Sequence, residues 1–211
     1  MNYKTFDLRS WNRREIFEHF ANMRQPHYDL TSVIDVTPLV EYKREHGLSF
    51  YLSLIYLATK SLNTIENFRL RMKGQEVVIY DRIETNFTHK RPEEDIFYFH
   101  TAPLEGTLQE YVAATSKAIA AQTTLFGGLG DIPNVAYFSC VPTIEITAVT
   151  NPGMENPCDA IPRINWGKYI YRDGRYTLGI SLTVNHRFID GYHIALFLHT
   201  LQEEICQLQK R

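Results

Sequence analysis

Residues 181–193 read SLTVNHRFIDGYH and include the end of a strand pattern. The apolar residues of this pattern alternate along one face of the predicted strand: Leu178, Ile180, Leu182 and Val184. A period of two is typical of a strand with one buried face. The strand should therefore deliver His186 at its end, where a rigid scaffold fixes a side chain that stays accessible.

The spacing of His186, Asp190 and His193 allows three interpretations. His186 could be a general base, because an imidazole that titrates near neutral pH can take a proton from a hydroxyl and later return it. The three side chains could instead bind zinc, but NHRFIDG is typical of a turn before a helix, and the chain has no HExxH motif. A histidine at a strand end is most often only hydrogen-bonded, without a chemical role. These residues alone leave the three interpretations open.

The rest of the chain interleaves helical and strand patterns. Helices are predicted at about 12–23, 38–47, 49–63, 107–122 and 191–209. Strands are predicted at 28–37, at 84–90, at 96–101, around Ser139, and in two hairpins that turn near Gly74 and Gly174. The glycines at 127, 128 and 130 are predicted to lie in a loop without a P-loop motif. The predicted fold class is α/β in the sense of an α+β sandwich, a mixed sheet covered by helices.

Composition and charge limit the number of domains, the kinds of partner and the location that we expect. Of the 211 residues 44% are hydrophobic, enough for a substantial core, and no linker or repeat divides the chain, so we expect one domain over residues 1–211. The formal net charge of −2 provides no basic field, so neither nucleic acid nor a membrane surface is an expected partner. The sequence shows no apolar signal core, no apolar run of the roughly 18 residues that a membrane span needs, and no paired spacing of its three cysteines. We expect a cytoplasmic protein with reduced thiols and a small or neutral ligand.

The motif HRFIDG, at 186–191, matches the HxxxDG signature of the acyl-CoA-dependent acyltransferases, and FIDGYH resembles the same region of the chloramphenicol acetyltransferase family. The resemblance extends over nearly the whole chain. The segments that carry it are, in order, WNRREIFEHF, LTSVIDVT, FRLRMKGQEVVIYD, FSCVP, INWGKY and NHRFIDGYHIALFLHTLQEE. This collinearity implies the chloramphenicol-acetyltransferase-like fold of CoA-dependent acyltransferases.

The resemblance implies a catalytic set. His186 matches the family's general base, which deprotonates an acceptor hydroxyl for attack on the thioester of acetyl-CoA, without an acyl-enzyme. Ser139, in FSCVP, matches the serine that donates a hydrogen bond to the tetrahedral oxyanion. Asp190 would pair with Arg13 of WNRRE and hold the architecture of the site. The resemblance also implies a homotrimer with active sites at the subunit interfaces, and it implies no metal.

Further residues are implied along the two substrates. Lys168 and Tyr169 match positions near the adenine end of CoA. The residues implied for the acceptor pocket are Phe20, Phe97, Val149, Asn151 and Asn165. The last three depart from the family, which usually has larger apolar residues at the first two positions and threonine at the third. Asn185 also replaces the first histidine of the usual pair.

The expected function is transfer of an acetyl group from acetyl-CoA to a hydroxyl of chloramphenicol or a related small molecule. The alternative is a catalytically weak relative that binds a small molecule or CoA. Ser139 favours the enzyme, because a purely structural descendant would not need it beside a base. The departures at Val149, Asn151 and Asn165 leave the chemistry unchanged and predict a weaker fit for chloramphenicol.

Overall fold

Three of the five α-helices described begin at a side chain that caps them. The computed structural model describes residues 2–130, 132–152 and 156–210. In this part of the chain the α-helices are α1 (Arg14–Ala21), α2 (Thr37–His46), α3 (Phe50–Asn63), α4 (Leu108–Ala121) and α5 (Gly191–Cys206). The Ser49 side chain caps α3, and Thr107 and Glu110 form a capping box at α4. None of the helices described has the length and apolar character needed to cross a bilayer.

The helix boundaries differ from the predicted ones by at most three residues. The first helix begins at Arg14, whose backbone N–H still bonds to Trp11 in the preceding turn. The second begins at Thr37, because Asp35 Oδ1 accepts a hydrogen bond from Thr37 N at 2.8 Å and satisfies that donor. The last α-helix ends at Cys206 and continues as a 3₁₀ turn.

The strands form two sheets. They are β1 (Tyr3–Thr5), β2 (His27–Asp35), β3 (Leu70–Lys73), β4 (Glu76–Tyr80), β5 (Glu84–Lys90), β6 (Phe97–Ala102), β7 (Phe126–Gly128), β8 (Val135–Cys140), β9 (Arg163–Trp166), β10 (Ile170–Arg172) and β11 (Arg175–Asn185). The small sheet has the order β1-β4-β3, and the large one has the order β10-β11-β9-β8-β5-β6-β7 with β2 paired to β11. Strand β8 is parallel to β5 and to β9, while β11 is antiparallel to its partners. The large sheet is therefore mixed, and the predicted fold class is confirmed.

The two faces of the large sheet differ in polarity. Phe138, Ile164 and Leu182 are register partners on β8, β9 and β11, and all three are buried. Helix α3 packs on this face, where the rings of Tyr51 and Trp166 lie 5.4 Å apart. Side chains alternate along a strand, so the adjacent residues point to the opposite face. Those residues are Ser139, Asn165 and Ser181, and they form a polar row.

Residues 144–151 cross this polar face. A Cβ on Gly179 would lie 2.3 Å from the carbonyl oxygen of Ile146, so a side chain there would block the crossing. The carbonyl of Val149 accepts a hydrogen bond from Ser181 Oγ at 2.9 Å. Asn151 Nδ2 donates to Thr183 Oγ1 at 2.7 Å. The crossing segment therefore forms one wall over the polar row.

Three strands, β1, β7 and β9, are additions to the predicted set. Gly127 and Gly128, two of the three glycines predicted to lie in a loop, end β7. Gly128 has φ +72°, and a Cβ there would lie 1.8 Å from the carbonyl oxygen of Thr101. The strand pairs with β6 because this position has no side chain. Strand β9 has only four residues, and its partners β8 and β11 are distant in sequence. Local periodicity is therefore too weak a signal for it.

Candidate active site

His186 begins the turn that leaves β11. Its backbone N–H donates to the carbonyl of Pro26 at 2.8 Å, so strand pairing continues one residue beyond β11. Asn185 Oδ1 accepts from Arg187 N at 3.0 Å, and Asn185 Nδ2 donates to the carbonyl of Asp159 at 2.8 Å. Asn185 thus fixes the turn from both sides, a role that an amide can fill because it both donates and accepts.

The imidazole of His186 is half-buried and contacts two aromatic rings. The ring of Phe20 stacks on it, with 4.0 Å between centroids and 8° between planes. The ring of Tyr28 lies 4.6 Å away at 33°. Nδ1 is buried and has no hydrogen-bond partner among the described residues. Because Nδ1 is buried, the edge of the half-buried ring that carries Nε2 is the one left for a substrate.

Arg13 and Asp190 form an ion pair close to this histidine. Arg13 Nη1 lies 2.6 Å from Asp190 Oδ2, and the two side chains are 15% and 25% exposed. Asp190 Oδ1 caps α5 by accepting from Tyr192 N at 3.0 Å, and it lies 2.8 Å from His193 Nδ1. Burial raises the pKa of Asp190, but the hydrogen bonds from Arg13 and His193 outweigh burial and hold that pKa at about 2. The ionised carboxylate fixes the start of α5 directly after the His186 turn.

Ser139 lies on the polar face of the sheet. The row that contains it crosses five strands and consists of Thr88, Ser139, Asn165, Ser181 and Thr31. Ser139 Oγ lies 3.3 Å from Thr88 Oγ1, and Thr31 Oγ1 donates to Ser181 Oγ at 3.1 Å. Asn165 Nδ2, in the middle of the row, is buried without a partner in the part of the chain that is described. Ser139 and Asn165 both line a cavity of about 180 Å³, which a small molecule could enter.

Of the other residues implied for the acceptor, Asn151 lines this cavity. Val149 is half-buried and contacts the polar row through its backbone carbonyl. Phe97 is 54% exposed, and its ring lies 5.4 Å from that of Phe99, which lines the cavity. Phe20 is placed elsewhere, against His186.

The two residues implied for CoA follow β9. Lys168 is exposed, and its backbone N–H donates to the carbonyl of Ile144 at 2.6 Å. Tyr169 is half-buried, with its ring 4.8 Å from Phe50 and 5.6 Å from Tyr176. An exposed cation beside an aromatic ring suits a charged, flat nucleotide.

One chain does not bring His186 and Ser139 together. Ser139 is in register with Asn165, and Asn165 with Ser181, so Ser139 lies two strands from β11 at the level of Ser181. His186 is five residues further along β11. At roughly 3.3 Å per residue and 4.8 Å per strand, the two Cα atoms are about 19 Å apart. Because five is odd, the two side chains also point to opposite faces of the sheet.

The zinc interpretation has no geometric support. Within residues 2–130, 132–152 and 156–210, no group of three or more His, Cys, Asp or Glu side chains is placed to hold a metal ion. The carboxylate oxygens of Asp190 already contact Arg13 and His193.

Sequence reasoning missed Tyr28 and Thr88. Tyr28 is in register with Val184, two residues before His186 and therefore on the same face of the sheet. The pairing of β2 with β11 is the signal that would have found it, and periodicity alone does not provide that pairing.

Comparison with known proteins identifies the class of the molecule. The mixed sheet with helices on one face is the fold of the CoA-dependent acyltransferases, and the protein is an acyltransferase. The family model for chloramphenicol acetyltransferase matches residues 1–202. The chain therefore belongs to the chloramphenicol acetyltransferase family, as its motifs predict.

Individual relatives match over almost their full length. Chloramphenicol acetyltransferase 3 of Escherichia coli is 28% identical over 207 residues, which are 96% of this chain and 97% of the relative. The chloramphenicol acetyltransferase of Staphylococcus aureus is 28% identical over 211 aligned positions, which cover 96% and 95% of the two chains. A solved chloramphenicol acetyltransferase superposes with a TM-score of 0.88 at 26% identity, covering 97% of this chain and 100% of the other.

Proposed function

We propose that this protein transfers the acetyl group of acetyl-CoA to a hydroxyl of chloramphenicol or of a related small molecule. The observation that carries the proposal is the half-buried His186 ring at the end of β11, in which the burial of Nδ1 leaves Nε2 for a substrate. An imidazole with one accessible nitrogen is suited to take a proton from a hydroxyl. The names of the relatives support chloramphenicol as the acceptor.

The proposed reaction needs no acyl-enzyme. Nε2 of His186 takes the proton of the acceptor hydroxyl as the hydroxyl oxygen attacks the thioester carbonyl. The negative charge of the tetrahedral intermediate develops on the former carbonyl oxygen, which accepts a hydrogen bond from the Ser139 hydroxyl; such a donor is worth roughly 3 to 4 kcal/mol. The C–S bond then breaks, and the imidazolium returns its proton to the CoA sulfur. The products are the acetyl ester and free CoA.

We propose a homotrimer in which each site combines His186 of one copy with Ser139 of the next. The separation of about 19 Å within one chain supports this arrangement, because no acyl carbonyl could contact both residues of the same copy. The polar face also carries an apolar rim, with Phe97 54% and Phe126 63% exposed, which a second copy would bury. A closed ring of identical contacts would give every copy one shared base and one shared serine.

We also propose that the adenine of CoA lies against Tyr169, with Lys168 near its phosphates. The exposed cation and the neighbouring ring support this placement. A cytoplasmic location is proposed as well, and the three unpaired cysteines support it because disulfides are rare in a reducing compartment.

The function is tested by acetyl-CoA-dependent release of free thiol in the presence of chloramphenicol and a panel of other hydroxyl compounds. We expect turnover by the unmodified protein and a loss of roughly 10²- to 10⁴-fold in His186→Ala, with oligomer and CoA affinity unchanged. His199→Ala, which changes an exposed histidine on α5, is the matched control. A His186→Ala rate above about a tenth of the parent rate would show that the base is elsewhere. Binding of CoA or chloramphenicol without any turnover would favour the alternative of a binding relative.

A further inference from the structure

Arg163 brings a positive charge to the cavity beside Ser139. It lies two residues before Asn165 on β9, so its side chain points to the same polar face of the sheet. Ser139, Asn165 and Arg163 all line the cavity of about 180 Å³. Among the described residues that line it, Arg163 is the only charged one, and none is Asp or Glu. A ligand in this cavity would therefore meet a guanidinium, and no described carboxylate would face it from the wall.

Three contacts hold the guanidinium of Arg163 in place. Nη2 lies 2.7 Å from Asp159 Oδ2, and Nη1 donates to the carbonyl of Ile161 at 3.1 Å. The guanidinium also lies over the ring of Tyr137, 5.4 Å from its centroid. Asp159 is not among the residues that line the cavity, so its carboxylate anchors Arg163 without forming part of the wall. A side chain that is already fixed loses little freedom when a ligand binds.

The anchored guanidinium keeps hydrogen-bonding capacity. A guanidinium has five N–H donors, and the contacts with Asp159 and Ile161 use two of them. The Arg163 side chain is 18% exposed, so a ligand can reach it. Asn165 provides a further donor in the same cavity, because this residue is only 9% exposed and its Nδ2 is buried without a partner in the described chain. These donors suit a ligand group that carries a negative charge and two acceptor oxygens.

We propose that Arg163 is a specificity residue, and that the acceptor acetylated best by this protein carries a carboxylate besides the reacting hydroxyl. This inference rests on the proposed function, in which the acceptor occupies the cavity beside Ser139. A planar carboxylate matches the paired N–H groups of a guanidinium and accepts charge-assisted hydrogen bonds from them. A neutral acceptor of the same shape forms weaker bonds with these donors, so the site discriminates between the two.

The register of the strands sets the distance between the carboxylate and the hydroxyl of the acceptor. Arg163 is in register with Tyr137, and Ser139 lies two residues further along β8. At roughly 3.3 Å per residue and 4.8 Å per strand, the Cα atoms of Ser139 and Arg163 are about 8 Å apart. The proposed reaction brings the hydroxyl of the acceptor close to Ser139. The acceptor should therefore hold its carboxylate several ångströms from that hydroxyl, which an α-hydroxy acid cannot do.

Two acceptors of equal shape test the charge preference. The acid para-(hydroxymethyl)benzoate and its amide para-(hydroxymethyl)benzamide differ in charge and share the same ring and spacing. In thiol release from acetyl-CoA, the unmodified protein should show a kcat/KM roughly 10- to 100-fold higher for the benzoate. In Arg163→Gln this preference should fall below about threefold, through a higher KM for the benzoate, and the KM for acetyl-CoA should stay within about twofold. Arg163→Lys should keep part of the preference, because lysine keeps the charge and loses the planar pair of donors.

Arg172→Gln is the matched control. Arg172 also forms an ion pair, with Glu145 at 2.7 Å, but its side chain is 61% exposed and does not line the cavity. This variant should keep the preference of the unmodified protein. If Arg163→Gln does not fold because Asp159 loses its partner, the double variant Arg163→Gln/Asp159→Asn replaces it, since neither side chain of the pair is then charged.

Binding provides a second measurement, which does not depend on turnover. Calorimetry of para-(hydroxymethyl)benzoate with the protein alone should give a Kd at least roughly tenfold higher for the Arg163→Gln variant than for the unmodified protein. An unmodified protein that binds the benzoate in this way but acetylates no hydroxyl compound would support the carboxylate site and overturn the proposed function. Acetylation of chloramphenicol and the benzamide with no preference for the benzoate, or a preference that Arg163→Gln leaves unchanged, would overturn the inference and leave the proposed function standing.

Discussion

Mixing two inactive variants should restore activity if each site uses residues of two copies. Ser139→Ala removes the proposed oxyanion donor, and His186→Ala removes the proposed base. Each variant alone should lose at least roughly 100-fold in rate. The register of β8, β9 and β11 puts the two residues of one chain about 19 Å apart and on opposite faces. A mixed oligomer should therefore contain sites in which both residues are intact, although no single copy has both.

The expected recovery follows from counting interfaces. With equal amounts of the two variants, half of the copies supply an intact histidine and the other half an intact serine, so about one quarter of randomly assembled sites are complete. In purified mixed trimers of either composition, one of the three interfaces pairs the intact His186 with the intact Ser139, so recovery should be about one third. Both values exceed the activity of either single variant by more than tenfold.

The assay is thiol release from acetyl-CoA with chloramphenicol, after co-expression of the two variants with different affinity tags and sequential purification on both. The two variants mixed after separate purification provide the control. Oligomers that do not exchange copies should show only the activity of the single variants. If the co-purified oligomers are also no more active than the single variants, His186 and Ser139 do not meet across an interface. The shared-site proposal would then be wrong.

Two further predictions concern the acceptor cavity and the ion pair. Asn151→Leu should lower the KM for chloramphenicol roughly tenfold and leave the KM for acetyl-CoA unchanged. The reason is that an apolar side chain in the cavity beside Ser139 suits an aromatic acceptor better than an amide does. Steady-state kinetics that give an equal or higher chloramphenicol KM would contradict this prediction. Asp190→Asn keeps the helix cap but leaves Arg13 without its partner, so urea unfolding at pH 7 should show a loss of about 1 to 3 kcal/mol. Because the pKa of Asp190 is about 2 and its ordinary value is 3.8, the ion pair should contribute fully above about pH 4. The difference between the two proteins should shrink as the pH falls from 4 towards 2, and a difference that stays constant over this range would contradict the prediction.

The periodic parts of the fold could be predicted from the sequence. The alternation that ends at Val184 predicts β11, and the apolar run after Ser49 predicts the buried helix α3. The strands that were missed are short, and two of them are held by partners distant in the chain. Gly128 was predicted to lie in a loop because glycines are common there. The same lack of a side chain lets it approach the neighbouring backbone closely and pair as a strand.

Less of the candidate site could be predicted from the sequence. Motifs and the family resemblance predicted His186 and Ser139 one by one, as members of one catalytic set. Their separation depends on the order of β8, β9 and β11 and on the register between them, which follow from long-range pairing. Tyr28 depends on the same kind of information, because only the pairing of β2 with β11 brings it to the base.

The alternation of side chains along β11 supports the proposal of a shared site. The strand must bury Leu182 and Val184 against the helices, so the odd-numbered positions face the polar side and His186 lies on the helix side. Moving His186 by one position would bring it to the polar face, but it would then lose contact with Phe20 and Tyr28. The proposed base therefore lies on the helix side of its own chain, while the proposed oxyanion serine lies on the polar side. In the proposed trimer a second copy resolves this conflict, because its polar face would approach the end of β11 from outside and present Ser139 to His186.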